Sequence, residues 1–106
     1  FQAVKHMCAD MVAKLEPCRS LVWYAAYAQD HVAEEAALMS RMAKSHLSEV
    51  GKYIARTSTE VHGGMGFTWA FDCHLFYRRS NYLALALGGL NEWENKLVDA
   101  LPSAVA

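Results

Sequence analysis

The sequence predicts an all-α fold, an antiparallel up-and-down helical bundle of three long helices plus a short fourth. Three observations support this class. Apolar residues recur in steps of three and four over long stretches, no stretch alternates with period two between turn residues, and only two prolines and six glycines interrupt 106 residues. Hydrophobic residues make up 54% of the chain, above the usual ~45–50%. We therefore expect one domain over residues 1–106 that docks onto other domains or subunits.

The first helix is expected to run from Phe1 to about Asp30, because apolar or small residues keep the spacing of a bundle seam throughout. Pro17 lies inside this stretch and removes a backbone donor, which predicts a kink or a break there. Asp30 and His31 form the expected turn. The seam positions are Phe1, Val4, Cys8, Met11, Leu15, Cys18, Val22 and Ala25.

A second helix is expected to begin near Glu34 and Glu35, since carboxylates are favourable at the positive end of the helix dipole. Its apolar spacing continues to Val61, and the pair Gly63–Gly64 is a strong stop signal. A short aromatic loop over residues 65–70 follows. The seam positions of this helix are Met39, Ala43, Leu47, Val50, Ile54, Thr57 and Val61.

The third helix is expected after Asp72, a residue type that commonly caps helix N-termini. The pair Gly88–Gly89 ends it. A short fourth helix is expected over about residues 91–100, with Pro102 preventing its continuation. The sequence shows neither an internal repeat nor a low-complexity tract.

Charge and cysteine content argue against several classes of function. Ten basic and eleven acidic residues leave a net charge of −1, so electrostatic binding of nucleic acid has little support. Uncharged stretches are too short to cross a bilayer. Cys8, Cys18 and Cys73 are odd in number and form no CxxC pair, which favours reduced thiols and a cytoplasmic protein. The five histidines lack ligand spacing, so no metal site is expected.

The most distinctive segment is the run EVHGGMGFTW over residues 60–69. Glycine permits positive φ and lets another group approach the backbone closely. One interpretation is a helix C-cap with a tight turn, and another is a phosphate contact through exposed backbone N–H groups. An esterase oxyanion loop is excluded because the chain has no GxSxG segment. A dinucleotide site is excluded because GxGxxG spacing is absent.

Three segments together are similar to a known family: Phe1-Gln2 at the start of a long helix, HGGMGFTW at 62–69 and DCHLFYRR at 72–79. They resemble the C-terminal helical domain of the acyl-CoA dehydrogenases, most closely bacterial-type members with an HGGxGFTW signature. The similarity extends from Phe1 to about Gly89. It implies a fragment of a larger flavoprotein whose N-terminal helical and middle β domains lie outside this chain.

The resemblance also implies what the parent protein does and what it binds. Such an enzyme uses FAD to oxidise an acyl-CoA thioester to the 2-enoyl-CoA, with electron-transfer flavoprotein as the electron acceptor. This domain would support a homo- or hetero-oligomer, a dimer of dimers. The residues expected at the adenosine diphosphate part of FAD are Gln2, Glu60, Val61, His62, Gly63 and Gly64.

Three positions depart from the family pattern. Glu60 replaces the usual glutamine, which places a carboxylate near a diphosphate and is unfavourable unless the side chain turns away or is paired. Leu87 occupies the position at which many members carry the catalytic base. Because leucine cannot accept a proton, no catalytic residue is expected in this chain. Ala70 replaces a common glutamate.

Two alternatives therefore stay open. In some relatives the base comes from a helix upstream of the segment matched here, which would make the parent a complete enzyme. In others, non-identical subunits divide the work, and this chain would then be a degenerate subunit or a non-catalytic helical interaction module. A haem-binding bundle with methionine and histidine ligands is a remote third possibility.

Overall fold

The computed structural model describes residues 2–101, which contain four α-helices and one short 3₁₀ helix. These described residues contain no β-strand, so the predicted all-α class is confirmed. The expectations for Phe1 and Pro102 lie outside the described residues. Two helices are long, with 30 and 29 residues, whereas the third has 13 and the fourth 11. The α-helices are α1 (Gln2–His31), α2 (Ala33–Val61), α3 (Cys73–Leu85) and α4 (Leu90–Ala100).

Helices α1 and α2 form an antiparallel pair joined by the single residue Val32. Near this joint the Tyr24 hydroxyl donates to a carboxylate oxygen of Glu35, a hydrogen bond that raises the pKa of Tyr24. Further along, the Lys14 ammonium lies 5.0 Å from the centroid of the Tyr53 ring. From the first contact to the second, the α2 partner moves from Glu35 to Tyr53 while the α1 partner moves back from Tyr24 to Lys14, so the two helices are antiparallel. The expected turn at residues 30–31 is therefore one residue later, at Val32.

The predicted break at Pro17 is wrong, because α1 continues through it without interruption. Proline removes one hydrogen bond, to the carbonyl four residues earlier. That carbonyl belongs to Ala13, and both Pro17 and Ala13 are exposed. Water can therefore hydrate the released carbonyl, while packing of α1 against α2 maintains the helix on the opposite side.

Helix α2 is the centre of the fold, because it packs against α1, α3, α4 and the 3₁₀ helix. Two of its basic side chains hold the C-terminal parts of the shorter helices. Arg41 Nη1 donates to the carbonyl oxygen of Lys96 in α4 at 2.7 Å, and Lys44 Nζ donates to that of Leu83 in α3 at 2.6 Å. Cations are favourable at helix C-termini, so these contacts set the positions of α3 and α4.

The core among the described residues consists of small side chains. Ser45 and Thr59 are buried on α2, and their hydroxyls donate to carbonyl oxygens four residues earlier. Small side chains let helices approach closely but bury little apolar surface. The buried apolar residues are Cys18, Ala25, Ala28, Val50, Ala55 and Ala84. Large apolar side chains remain exposed instead, among them Trp23, Phe67, Trp69, Phe76, Leu85 and Leu87.

Candidate functional site

The candidate site begins where α2 ends. The backbone N–H of His62 donates to the carbonyl of Ser58 at 3.3 Å, and His62 Nδ1 lies 2.8 Å from the same oxygen. The next residue, Gly63, has φ of +65°. This left-handed conformation disfavours any side chain beyond hydrogen. The predicted stop at the glycine pair is therefore correct to within two residues, since α2 ends at Val61.

The three glycines of this segment serve two different purposes. A Cβ added to Gly63 or Gly64 would meet no atom within 4 Å, so the main chain there is open to an approaching group. Gly66 is buried, and a Cβ at this position would clash with the carbonyl oxygen of Thr59. Only Gly66 is thus required by packing against α2. We call residues 62–67 the glycine turn.

The loop expected over residues 65–70 is partly helical, because residues Gly63–Phe67 form a 3₁₀ helix. Both the backbone N–H and the hydroxyl of Thr68 donate to the carbonyl oxygen of Met65, at 3.2 and 2.8 Å. The 3₁₀ helix satisfies backbone groups locally within the link between α2 and α3. The glycine turn is therefore a hydrogen-bonded structure rather than an open loop.

Aromatic rings attach the segment that follows the glycine turn to both neighbouring helices. The rings of Phe71 and His62 have centroids 5.9 Å apart. The rings of Trp69 and His74 make a T-shaped contact with centroids 4.4 Å apart, and the Arg78 guanidinium lies 4.7 Å from the Trp69 centroid. None of these contacts follows from the helical periodicity, because each depends on how the loop folds back on α3.

Helix α3 begins without the predicted side-chain cap. The Asp72 side chain makes no capping hydrogen bond. Its backbone carbonyl instead accepts hydrogen bonds from the N–H groups of Leu75 and Phe76, at 2.9 and 3.3 Å. The prediction identified the right position but the wrong atoms, because Asp72 has φ of −77° and ψ of 2° rather than the extended backbone of an N-cap.

The structure brings together only part of the predicted contact set. Glu60, Val61, His62, Gly63 and Gly64 are contiguous at the end of α2. Glu60 is exposed and makes no ion pair within residues 2–101. Gln2 lies at the same end of the antiparallel α1–α2 pair, but its amide nitrogen is 3.2 Å from Nε2 of His6, on its own helix.

Leu87, which stands at the position compared above with the family's catalytic base, lies in a second turn, between α3 and α4. Leu87 has φ of +64° and is 88% exposed. Its carbonyl oxygen accepts a hydrogen bond of 2.8 Å from Nε1 of Trp93. A left-handed conformation costs a bulky residue about 1–2 kcal/mol. Sequence reasoning missed Trp93, because nothing in the helical pattern indicates that its indole stabilises this turn.

An apolar groove of about 1060 Å³ runs between α1, α2 and α3. The Cys18 thiol borders it and donates to the carbonyl oxygen of Lys14 at 3.3 Å, and burial raises the pKa of this thiol. Polar side chains, among them Ser48, Asp72 and Arg79, also line the groove. The apolar residues that line it include Leu15, Leu47, Ile54, Phe76 and Leu83.

Residues 2–101 contain no group of three or more His, Cys, Asp or Glu side chains placed to hold a metal ion. None of the helices in this range has the length and apolar character needed to cross a membrane. The three cysteines are free thiols, with Cys8 exposed, Cys18 buried and Cys73 half-buried.

Comparison with known proteins gives the class of this helical domain. Residues 1–98 match the family model described as "Acyl-CoA dehydrogenase, C-terminal domain". The chain therefore belongs to the acyl-CoA dehydrogenase family. No solved structure gives a significant match.

Among curated proteins, the chain is 35% identical over 105 residues to acyl-CoA dehydrogenase FadE34 of Mycobacterium tuberculosis, covering 98% of this chain and 15% of that protein. It is 29% identical over 97 residues to acyl-CoA dehydrogenase IpdE2 of Mycolicibacterium smegmatis, covering 92% and 29%. It is 36% identical over 78 residues to the caffeyl-CoA reductase-Etf complex subunit CarC of Acetobacterium woodii, covering 74% and 20%. The chain thus spans less than a third of the length of each of these relatives.

Proposed function

We propose that this chain is the C-terminal helical domain of an FAD-dependent acyl-CoA dehydrogenase and that its glycine turn contacts the diphosphate of FAD. The observation that carries the proposal is the open main chain at Gly63 and Gly64, where no atom lies within 4 Å of an added Cβ. Backbone exposed in this way lets a phosphate come within hydrogen-bond distance of N–H groups.

The open space at the glycine turn supports the approach of a nucleotide diphosphate. Only Gly66 is consumed by internal packing, which leaves Gly63 and Gly64 available to a ligand. The carboxylate of Glu60 is exposed, so water screens its charge from an anion bound at the turn. Gln2, at the same end of the α1–α2 pair, would add a neutral amide to the contact set.

The reaction proposed for the parent removes a proton and a hydride from adjacent carbons of an acyl-CoA thioester. The bound FAD supplies the hydride acceptor. The thioester acidifies the α-carbon, and a positioned carboxylate completes general-base chemistry. Leu87 has no group that accepts a proton, so we assign the base to a residue outside this chain.

The proposal extends to partners and location. The relative CarC is named as a subunit of a complex with Etf, which supports electron-transfer flavoprotein as the electron acceptor of the parent. The exposed apolar side chains support contact with the other domains and with further subunits in a dimer of dimers. We place the parent in the cytoplasm.

The test uses Gly64→Val in the full-length protein that carries this chain. Because the space around Gly64 is empty, the variant should fold normally but keep a phosphate away from the main chain. Loss of a hydrogen bond to a charged group weakens binding by roughly ten- to a hundredfold. FAD affinity is measured by flavin fluorescence titration. The matched control is Ala13→Val, which adds the same side chain at an exposed site on α1.

Unchanged FAD affinity in Gly64→Val would overturn the assignment of the glycine turn. The second candidate function is a non-catalytic helical interaction module or degenerate subunit, which the apolar Leu87 at the expected base position favours. A full-length protein that purifies without flavin absorbance, and gains none when FAD is added, would support this second function.

A further inference from the structure

Trp69 is held in place by α3 rather than by burial. Its side chain is 71% exposed, so the hydrophobic effect contributes little to its position. The contacts that orient it are the His74 ring, in a T-shaped contact with centroids 4.4 Å apart, and the Arg78 guanidinium, 4.7 Å from its centroid. His74 and Arg78 are four residues apart, so they lie on one face of α3. The indole therefore spans one turn of this helix.

The residues on either side of Trp69 are held by contacts of their own. Phe71 packs against His62, whose ring is in turn close to the Ser58 carbonyl at the end of α2. Thr68 makes two hydrogen bonds to Met65 inside the 3₁₀ helix. Trp69 is the residue that follows this hydrogen-bonded unit. Its attachment to α3 consequently limits how the glycine turn can move.

The contact with Trp69 leaves one nitrogen of the His74 ring without a hydrogen bond among the described residues. Its Nδ1 atom is buried and has no hydrogen-bond partner within residues 2–101. A buried nitrogen without a partner has lost the hydrogen bond that it would make to water, so such atoms are rare in folded proteins. The ring keeps this orientation, and with it the T-shaped contact with Trp69.

We propose that Trp69, His74 and Arg78 form an aromatic latch that positions the glycine turn for its ligand. This inference rests on the proposed function, and it assigns the three side chains as positioning residues rather than ligand contacts. Arg78 lies over the indole ring and His74 makes a T-shaped contact with it, so the latch resists displacement of residues 63–68. The main chain at Gly63 and Gly64 is then preorganised before any diphosphate arrives.

The neighbouring arginine provides a matched control. The Arg79 guanidinium lies 5.4 Å from the centroid of Tyr82, which is the same kind of interaction on the same helix. Tyr82 belongs to α3, and within residues 2–101 no side-chain hydrogen bond or ring contact joins it to the glycine turn. Arg79→Met and Arg78→Met therefore remove the same charge and the same type of stacking from adjacent positions.

The experiment is hydrogen–deuterium exchange of the full-length protein without FAD, read by mass spectrometry over residues 63–71. Loss of one cation–π contact in Arg78→Met should speed exchange there about two- to fivefold. Trp69→Ala, which loses both contacts, should give the larger effect. Arg79→Met should leave exchange at wild-type rates, and Arg78→Lys should restore part of the protection because it keeps the charge.

The affinity for FAD gives the second readout. Arg78→Met should raise the dissociation constant by a factor similar to its effect on exchange, with the absorbance of the bound flavin unchanged. Exchange that is equal in Arg78→Met, Trp69→Ala and Arg79→Met would overturn the latch. Faster exchange with unaltered FAD affinity would overturn its positioning role. Failure of the wild-type protein to bind FAD would instead overturn the proposed function, while the exchange rates still decide whether the latch exists.

Discussion

Two turns of this molecule contain a Gly-Gly pair after a helix, yet they use it in opposite ways. In the glycine turn, the positive φ falls on Gly63, and both Gly63 and Gly64 face open space. In the turn between α3 and α4, the positive φ values fall on Leu87 and Gly88. An added Cβ on Gly88 would clash with the Glu92 carboxylate and lie 2.8 Å from Nε1 of Trp93.

The difference shows that a glycine pair does not by itself indicate a ligand site. The second turn is occupied by its own chain, because α4 packs against Gly88 and the Trp93 indole bonds to the Leu87 carbonyl. In the first turn both glycines of the pair, Gly63 and Gly64, are open, whereas in the second turn only Gly89 is. The first turn therefore offers an approaching anion the longer stretch of open main chain. Two of the three departures from the family pattern, Glu60 and Leu87, lie in or beside the two turns.

The largest expected effect is on the free energy of unfolding, and it should distinguish the packed Gly66 from the open Gly64. Gly66→Val forces side-chain atoms against the Thr59 carbonyl, which is backbone and cannot move aside. Overpacking of this kind should lower the free energy of unfolding by about 3 kcal/mol. Gly64→Ala, in open space, should change it by less than about 0.5 kcal/mol. Urea denaturation measures both, and equal effects would contradict the distinction.

A second pair of substitutions compares positive-φ glycines across the two turns. Gly63→Ala places a methyl group in a left-handed conformation without any clash, which should cost about 1 kcal/mol. Gly88→Ala adds contact with Glu92 and Trp93 to a φ of +115°, and should cost about 2 kcal/mol or more. Urea denaturation of the two variants checks the order, and a larger loss in Gly63→Ala would show that the open turn is the tighter one.

Leu87→Asn tests the strain in the second turn. Asparagine tolerates left-handed backbone better than leucine does, and a side chain that is 88% exposed contributes little burial. The variant should therefore raise the free energy of unfolding by about 0.5–1 kcal/mol. The midpoint of urea unfolding reports the change. A destabilised Leu87→Asn would mean that the leucine side chain makes contacts worth more than its strain.

Glu60→Gln is expected to have the smallest effect. Because the Glu60 carboxylate is exposed, removing its charge beside the glycine turn should leave FAD affinity of the full-length protein equal or at most about threefold tighter. Flavin fluorescence titration measures this, with Glu49→Gln, another exposed glutamate of α2, as the control. Weaker binding in Glu60→Gln alone would reveal a positive role for the carboxylate.

Much of the fold was predictable because helix periodicity is a local property of the sequence. The spacing of apolar residues predicted the extents of α1 and α2, and the pair Gly63–Gly64 predicted the end of α2 to within two residues. Local rules failed where the environment decides the outcome. The expected break at Pro17 is absent because water and packing maintain the helix, and Asp72 stands at the N-cap position of α3 without making a side-chain capping hydrogen bond.

The sequence by itself determined the helical class, the central glycine segment and the family to which the chain belongs. Only the tertiary structure decided which glycines are open, that Trp93 closes the second turn, and that Trp69 rests on His74 and Arg78. The reason is physical. Periodicity and backbone preference act between residues a few positions apart, whereas the space around a glycine is set by atoms that the fold brings from other elements.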